Sequence, residues 1–292
     1  MKIVKKRKTA GRVVRREPVG RALDALMWMG DHPKTPWSIR QVARDLRTSP
    51  TTVHRIFRVF EEHGLLHKDA NGGYFPSLGL YKLASSIGVG QDLPVMIARP
   101  HLEALRDKLD ETVMIGAYDA HRQEMMYLDV IESSHPVQHI VLPNRWRSIY
   151  PGAAGMGILA FLSESERRAV YKRGLEAFTE RTVVDVEELE KLLAKIRRDG
   201  YVISRGQRRV GAVGIAAPIF DSTGQVFGDV VITIPEQRFT EGMGATAGNA
   251  AAATAKAISS ELKASGYLRG GRLGADGDVR GAGRRSGAET GD

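Results

Sequence analysis

The chain contains no cysteine. Disulfides, thiol catalysis and every cysteine-based zinc site are therefore excluded. There is also no run of about eighteen apolar residues, the length a membrane-spanning helix needs. The basic N-terminus lacks the apolar stretch of a secretory signal, so a cytoplasmic protein is expected. Phosphate-cradling motifs are missing too. No Walker sequence is present, and GAAGMG and GAVG depart from the G-x-G-x-x-G order of a dinucleotide site.

What is present divides unevenly. With 42% apolar residues in a 292-residue chain, there is enough for a real core and for two domains of ordinary size. The net charge is +9, and eight Lys or Arg with no acid lie within residues 1–16, MKIVKKRKTAGRVVRR. Residues 1–17 are thus expected to be a flexible basic arm, attracted to nucleic acid or to an anionic surface. Residues 266–292, with nine glycines, read as a disordered tail.

Between these ends, residues 18–77 show three helical stretches and a hairpin. Val19, Ala22, Leu23, Leu26 and Met27 recur at helical spacing before Gly30, predicting that these residues face inward. Ser38 can cap a second helix whose inner face is Ile39, Val42, Ala43 and Leu46, with Arg40, Gln41 and Arg44 outside. Ser49 followed by Pro50 starts a third helix with Val53, Ile56, Phe57 and Phe60 buried. At about 100° per residue, Thr51, Arg55 and Arg58 then fall on the opposite side, flanked by Thr52 and His54. LLHKD and GYFPS form two short strands around Asn71-Gly72-Gly73.

Short polar and guanidinium groups on an exposed helix suit base edges and phosphates in a DNA major groove, and the hairpin makes a wing. A plain helical domain with a solvated face shares this periodicity. The wing, the basic arm and the five arginines against one acid in residues 38–58 favour double-stranded DNA. Candidate DNA contacts are Arg40, Arg44, Ser49, Thr51, Thr52, His54, Arg55, Arg58 and, on the wing, Lys68.

Residues 78–94 read as a linker helix and residues 95–265 as an α/β domain. A helix with Ala98, Leu102, Leu105 and Leu109 on one side precedes the β-like runs TVMIGAYDA and EMMYLDVIES. PVQHIVL reads as a third strand, and GAAGMGILAFL (Gly152–Leu162) as a helix packed closely on a sheet. Asp185 with Glu188 makes a capping box for a helix with Val186, Leu189, Leu193 and Ile196 inward. Three strands follow, YVISRG, AVGIAAPIFD and VFGDVVITI, and a closing helix runs from about Thr240 to Leu262. A sheet of about six strands with helices on its faces can hold a small ligand beside it.

Catalytic patterns are weak. His135 and His139 are four apart, but Pro136 disfavours a helical metal pair there; His63 and His67 straddle Gly64; Ser133 and Ser134 have no evident base. No enzyme and no cofactor are expected. The alternatives are a metabolic enzyme with an accessory nucleic-acid-binding domain, or a protein that uses its arm on RNA or an anionic membrane surface.

TTVHRIFRVFEEHGLL, YPGAAGMGILAFL and RDGYVISRGQRRVGAVGIAAPIFD, in that order, resemble the IclR family of bacterial transcription regulators over about residues 18–265. The resemblance implies a winged helix–turn–helix, a linker helix and a GAF-like effector-binding domain, an α+β chain assembled as dimers or tetramers on palindromic operators. It also implies effector contacts at the amides of Ala153 and Ala154 and at Ser204, Gly214, Val231 and Thr233. Several positions depart from the family pattern: Ser204 where an acid is frequent, Gly214 for cysteine, Val231 for serine and Met156 for lysine. A larger, less polar metabolite is therefore expected, aromatic in type, with Arg147 as its carboxylate partner and His139 nearby.

Overall fold

The computed structural model describes residues 17–87, 93–268 and 272–273. The chain divides into two compact units between Val89 and Gly90. The basic arm and most of the glycine-rich tail lie outside the described residues.

The N-terminal unit contains α1 (Pro18–Asp31), α2 (Ile39–Asp45), α3 (Pro50–Glu62), β1 (Leu66–Lys68), β2 (Tyr74–Pro76) and α4 (Leu78–Ile87). Capping chemistry sets the helix starts. Ser38 Oγ accepts the Gln41 amide at 3.2 Å, and Ser49 Oγ accepts the Thr52 amide at 3.1 Å with Pro50 at the first helical position. The turn between α2 and α3 passes through Arg47 at φ 51°. Val42, Ala43, Val53, Phe57 and Phe60 pack with Ala25, Trp28 and Met29 of α1, and Phe57 meets Tyr74 edge-on at 4.8 Å. Trp37 adds a bridge to Tyr74, which widens the wing by one extended residue.

The inward face expected for α1 needs correction. Val19, Leu23 and Met27 are 69%, 56% and 52% exposed, whereas Ala25, Trp28 and Met29 are buried. Apolar residues occur on two sides of this helix, and periodicity alone cannot say which side meets α2 and α3. The side bearing Trp28 does.

The C-terminal unit is built on one six-stranded antiparallel sheet of order β5-β4-β3-β8-β7-β6. Its strands are β3 (Thr112–Asp119), β4 (Glu124–Ile131), β5 (Arg147–Ser148), β6 (Val202–Arg205), β7 (Ala212–Phe220) and β8 (Val226–Pro235). Helices α5 (Leu93–Leu109) and α9 (Glu241–Ala264) cover one face, and α6 (Ala153–Leu159) and α8 (Val186–Asp199) pack on the other. Both faces are therefore buried, which is why β7 and β8 read as almost continuous apolar runs. Alternation sorts β8: Val230, Ile232 and Ile234 enter the α5–α9 core, while Asp229, Val231 and Thr233 face the other layer.

Four further expectations give way to the structure. Residues 136–142 form no strand; Pro136 supplies no ladder donor, and Arg147–Ser148 pair with Met125 and Glu124 instead. The helix expected over 152–162 is confined to α6, broken by Ala154 (ψ 137°) and Gly155 (φ 84°). Val186 is 40% exposed, although Asp185 does cap α8 by accepting the Glu188 amide at 2.9 Å. Tyr267, within the expected tail, is buried against Phe227 in β9 (Tyr267–Leu268), which pairs with β10 (Arg272–Leu273). A helix not foreseen, α7 (Glu164–Lys172), starts at a complete capping box of Ser163 and Glu166.

Candidate nucleic-acid interface and ligand cavity

Arg40, Arg44, Ser49, Thr51, His54, Arg55, Arg58 and Lys68 are all exposed, and Thr52 is half-buried. The cause is local: burying Val53, Phe57 and Phe60 turns the residues between them outward. Thr52 Oγ1 lies 2.8 Å from Ser49 Oγ, so the two hydroxyls fix each other at the first turn of α3. Two of the arginines have acidic neighbours. Arg44 Nε is 3.5 Å from Asp45 and Arg58 Nε is 3.4 Å from Glu62. Such exposed pairs hold their cations weakly, so a phosphate or base edge can displace the carboxylate. Lys68 Nζ stands 5.7 Å from the Tyr74 ring centroid at the root of the wing.

In the C-terminal unit a cavity of about 310 Å³ opens on the α6 side of the sheet. Of the residues named from the sequence, His139, Arg147, Ala153, Ala154, Ser204, Gly214, Val231 and Thr233 line it. Met156 does not. It is 1% exposed and packs into the core behind, because the kink at Ala154–Gly155 turns the next residue inward. Gly214 lets Ala153 pack closely against β7 at one wall: a Cβ there would lie 3.1 Å from the Ala153 Cβ.

Several lining residues had not been singled out. Arg208, Gln207, Tyr127, Phe178 and Met114 also face the cavity. The Arg208 guanidinium lies 5.2 Å from the Phe178 ring centroid, and that of Arg147 lies 5.1 Å from the Tyr127 centroid. The run RGQRRVG held a usable signal: arginines between glycines of positive φ, Gly206 at 67° and Gly211 at 77°, sit in a tight loop joining β6 to β7. Phe178 gave no such signal, since it belongs to an irregular segment tied across space by Thr179 Oγ1, which donates to Gly206 O at 2.7 Å.

The cavity is electropositive. Arg147, Arg208, Arg209 and His139 line it, and among the described residues no carboxylate does. Burial lowers the Arg208 pKa, and the neighbouring Arg147 charge lowers it further. Arg147 Nε and Gln207 Oε1 are buried without a hydrogen-bond partner, so a donor and an acceptor are left for a guest. Beneath the cavity, Asp229 is 0% exposed, and burial pushes its pKa up to about 8. Its Oδ2 accepts the Gly155 amide at 3.1 Å. Burial also pushes the Tyr127 phenol up to about 12, with Asp229 adding to the shift. Among the described residues no cluster of His, Asp and Glu is placed to hold a metal, and no helix is long and apolar enough to cross a membrane.

Residues 18–70 match the IclR helix-turn-helix domain, and residues 91–260 match the bacterial transcriptional regulator IclR C-terminal domain. The chain is similar to the HTH-type transcriptional regulator KipR of Bacillus subtilis, at 34% identity over 65% of this chain and 76% of KipR. It is 25% identical to the transcriptional repressor IclR of Escherichia coli over 76% of this chain and 81% of that protein. Among solved structures, an IclR homolog from Microbacterium hydrocarbonoxydans complexed with 4-hydroxybenzoate superposes with a TM-score of 0.73 at 22% identity, covering 85% of this chain and all of the homolog (100%). With a helix-turn-helix domain in one unit and a ligand-sized cavity in the other, the chain belongs to the IclR family of transcription regulators.

Proposed function

We propose that this regulator binds a palindromic operator as a homo-oligomer, and that a small organic acid in the C-terminal cavity changes its operator affinity. The observation that carries this reading is the cavity itself: arginines and a histidine over aromatic walls, with no carboxylate among the described lining residues. Such a lining favours an anion with an apolar body. The 4-hydroxybenzoate bound by the Microbacterium homolog supports an aromatic acid here. Thr51, Arg55 and Arg58 would read base edges, while Arg40, Arg44 and Lys68 would meet phosphates.

The exposed row of Val19, Leu23 and Met27, spaced one turn apart along α1, supports pairing of two copies. Two recognition helices in successive major grooves would double the contacts and account for a palindrome. Ligand shifts operator affinity only if it binds differently to two arrangements of the DNA-binding units. The site of action is the cytoplasm, where the operator is.

The test uses the full-length chain, DNA from beside its own gene and 4-hydroxybenzoate as first probe, read by gel shift. A changed operator affinity supports the reading. If no acid that binds the protein alters operator affinity, the coupling is wrong. Tight calorimetric binding of a two- or three-carbon keto acid would overturn the aromatic assignment.

A further inference from the structure

Arg147 and Arg208 enter the same cavity, each over a different ring and each tied to a different backbone carbonyl. Arg147 Nη2 donates to Leu142 O and Arg208 Nη1 to Ser148 O, both at 3.3 Å. A guanidinium has five N–H donors, so these bonds leave most of each fork unused. Neither arginine forms an ion pair with an acid among the described residues, and Arg147 Nε is buried without a partner. Two cations thus share a partly dry cavity without a counter-charge. Asp229, whose charge bears on the cavity-lining Tyr127, does not supply one: burial raises its pKa to about 8, so it is mostly neutral at pH 7.

One carboxylate forms two parallel bonds with one guanidinium and leaves the other uncompensated. Because the two guanidiniums lie on Tyr127 and Phe178 respectively, they form two stations on the cavity wall. The cavity, about 310 Å³, is near the lower end of the ~300–1,000 Å³ range of ligand pockets, which suits one ring or a short chain. Resting on the effector reading above, we infer that the ligand is a dicarboxylate, with one acid group held by Arg147 and the other by Arg208.

The test is calorimetry on the full-length protein with matched pairs: terephthalate against benzoate, and hexanedioate against hexanoate, with phenyl phosphate as a compact dianion. The diacids should bind about tenfold or more tighter than their monoacids. In Arg208→Gln that ratio should fall to about one. Equal affinity of the wild-type protein for mono- and diacids overturns the inference. So does Arg208→Gln weakening benzoate as strongly as terephthalate, since both arginines would then grip one carboxylate. Phenyl phosphate binding more tightly than either diacid overturns it as well. Benzoate that binds and shifts operator affinity without any diacid advantage defeats this inference alone, whereas failure of every acid to bind defeats the effector reading with it.

Discussion

The amide of Gly155 donates to Asp229 Oδ2 at 3.1 Å, tying the kinked start of α6 to strand β8 beneath the cavity. Room for this buried carboxyl comes from glycine. A Cβ on Gly116 would lie 2.3 Å from Asp229 Oδ1, and one on Gly157 would lie 3.4 Å from Oδ2. The turn that lines the cavity with Ala153 and Ala154 therefore rests on a group that can titrate.

Its pKa makes a prediction about pH. An aspartate in the unfolded chain has a pKa of about 3.9, and burial raises that of Asp229 to about 8. Between these values the folded state binds more protons than the unfolded state, so stability falls as pH rises. The penalty is absent below the unfolded pKa and complete above the folded one. The melting temperature should drop between about pH 4 and pH 8, and Asp229→Asn should flatten that drop. Parallel curves for the two proteins would show that Asp229 is not the titrating group.

Gly155→Ala should destabilise the C-terminal unit. Gly155 sits at φ 84°, and a Cβ there would come within 2.5 Å of the Ile149 Cα. Left-handed strain and a clash with backbone together should remove about 2 kcal/mol or more, measured by urea unfolding. An unchanged midpoint would mean that the kink relaxes freely.

On the N-terminal unit, Arg55→Ala or Arg58→Ala should weaken operator binding by ~1–3 kcal/mol if the side chain contacts a base. Fluorescence anisotropy on operator and scrambled DNA separates the roles. A base contact lowers affinity for the operator selectively, and a phosphate contact lowers both alike. Glu62→Gln should raise affinity slightly, because it frees Arg58 from its neighbour at 3.4 Å.

Removing residues 1–16, with their eight basic side chains, should weaken binding to every DNA sequence. The slope of log affinity against log salt should become shallower, by about 0.9 for each phosphate that the arm neutralises. A slope that does not move would show the arm to be idle on DNA.

Phe57→Ala deletes a fully buried ring that meets Tyr74, and should cost about 3–5 kcal/mol. Operator binding should be lost while calorimetric binding of an aromatic acid persists, since the cavity belongs to the other unit. Loss of both would show that the units unfold together.

The N-terminal unit was legible because its signals are local. Ser38 and Ser49 cap the helices they were expected to cap, and Thr51, Arg55 and Arg58 lie outside once Val53 and Phe57 are buried. The cavity was less legible. Ala153, Ala154 and Ser204 emerged from the family resemblance, but Tyr127, Phe178 and Arg208 come from a strand, an irregular segment and a turn that meet only in space. Met156 shows the converse, a position that the family resemblance carried to the cavity and the kink at Gly155 turned away.

By itself, the sequence determined composition, caps, turn glycines and the period of each buried row, because these depend on neighbours within a few residues. Tertiary structure decided which of two apolar rows of α1 went inside, why residues 136–142 yielded the sheet edge to Arg147 and Ser148, and that Tyr267 belongs to the core. It also brought two arginines, 61 positions apart in the chain, to one cavity. Long-range packing and charge depend on which surfaces meet, and no local period encodes that.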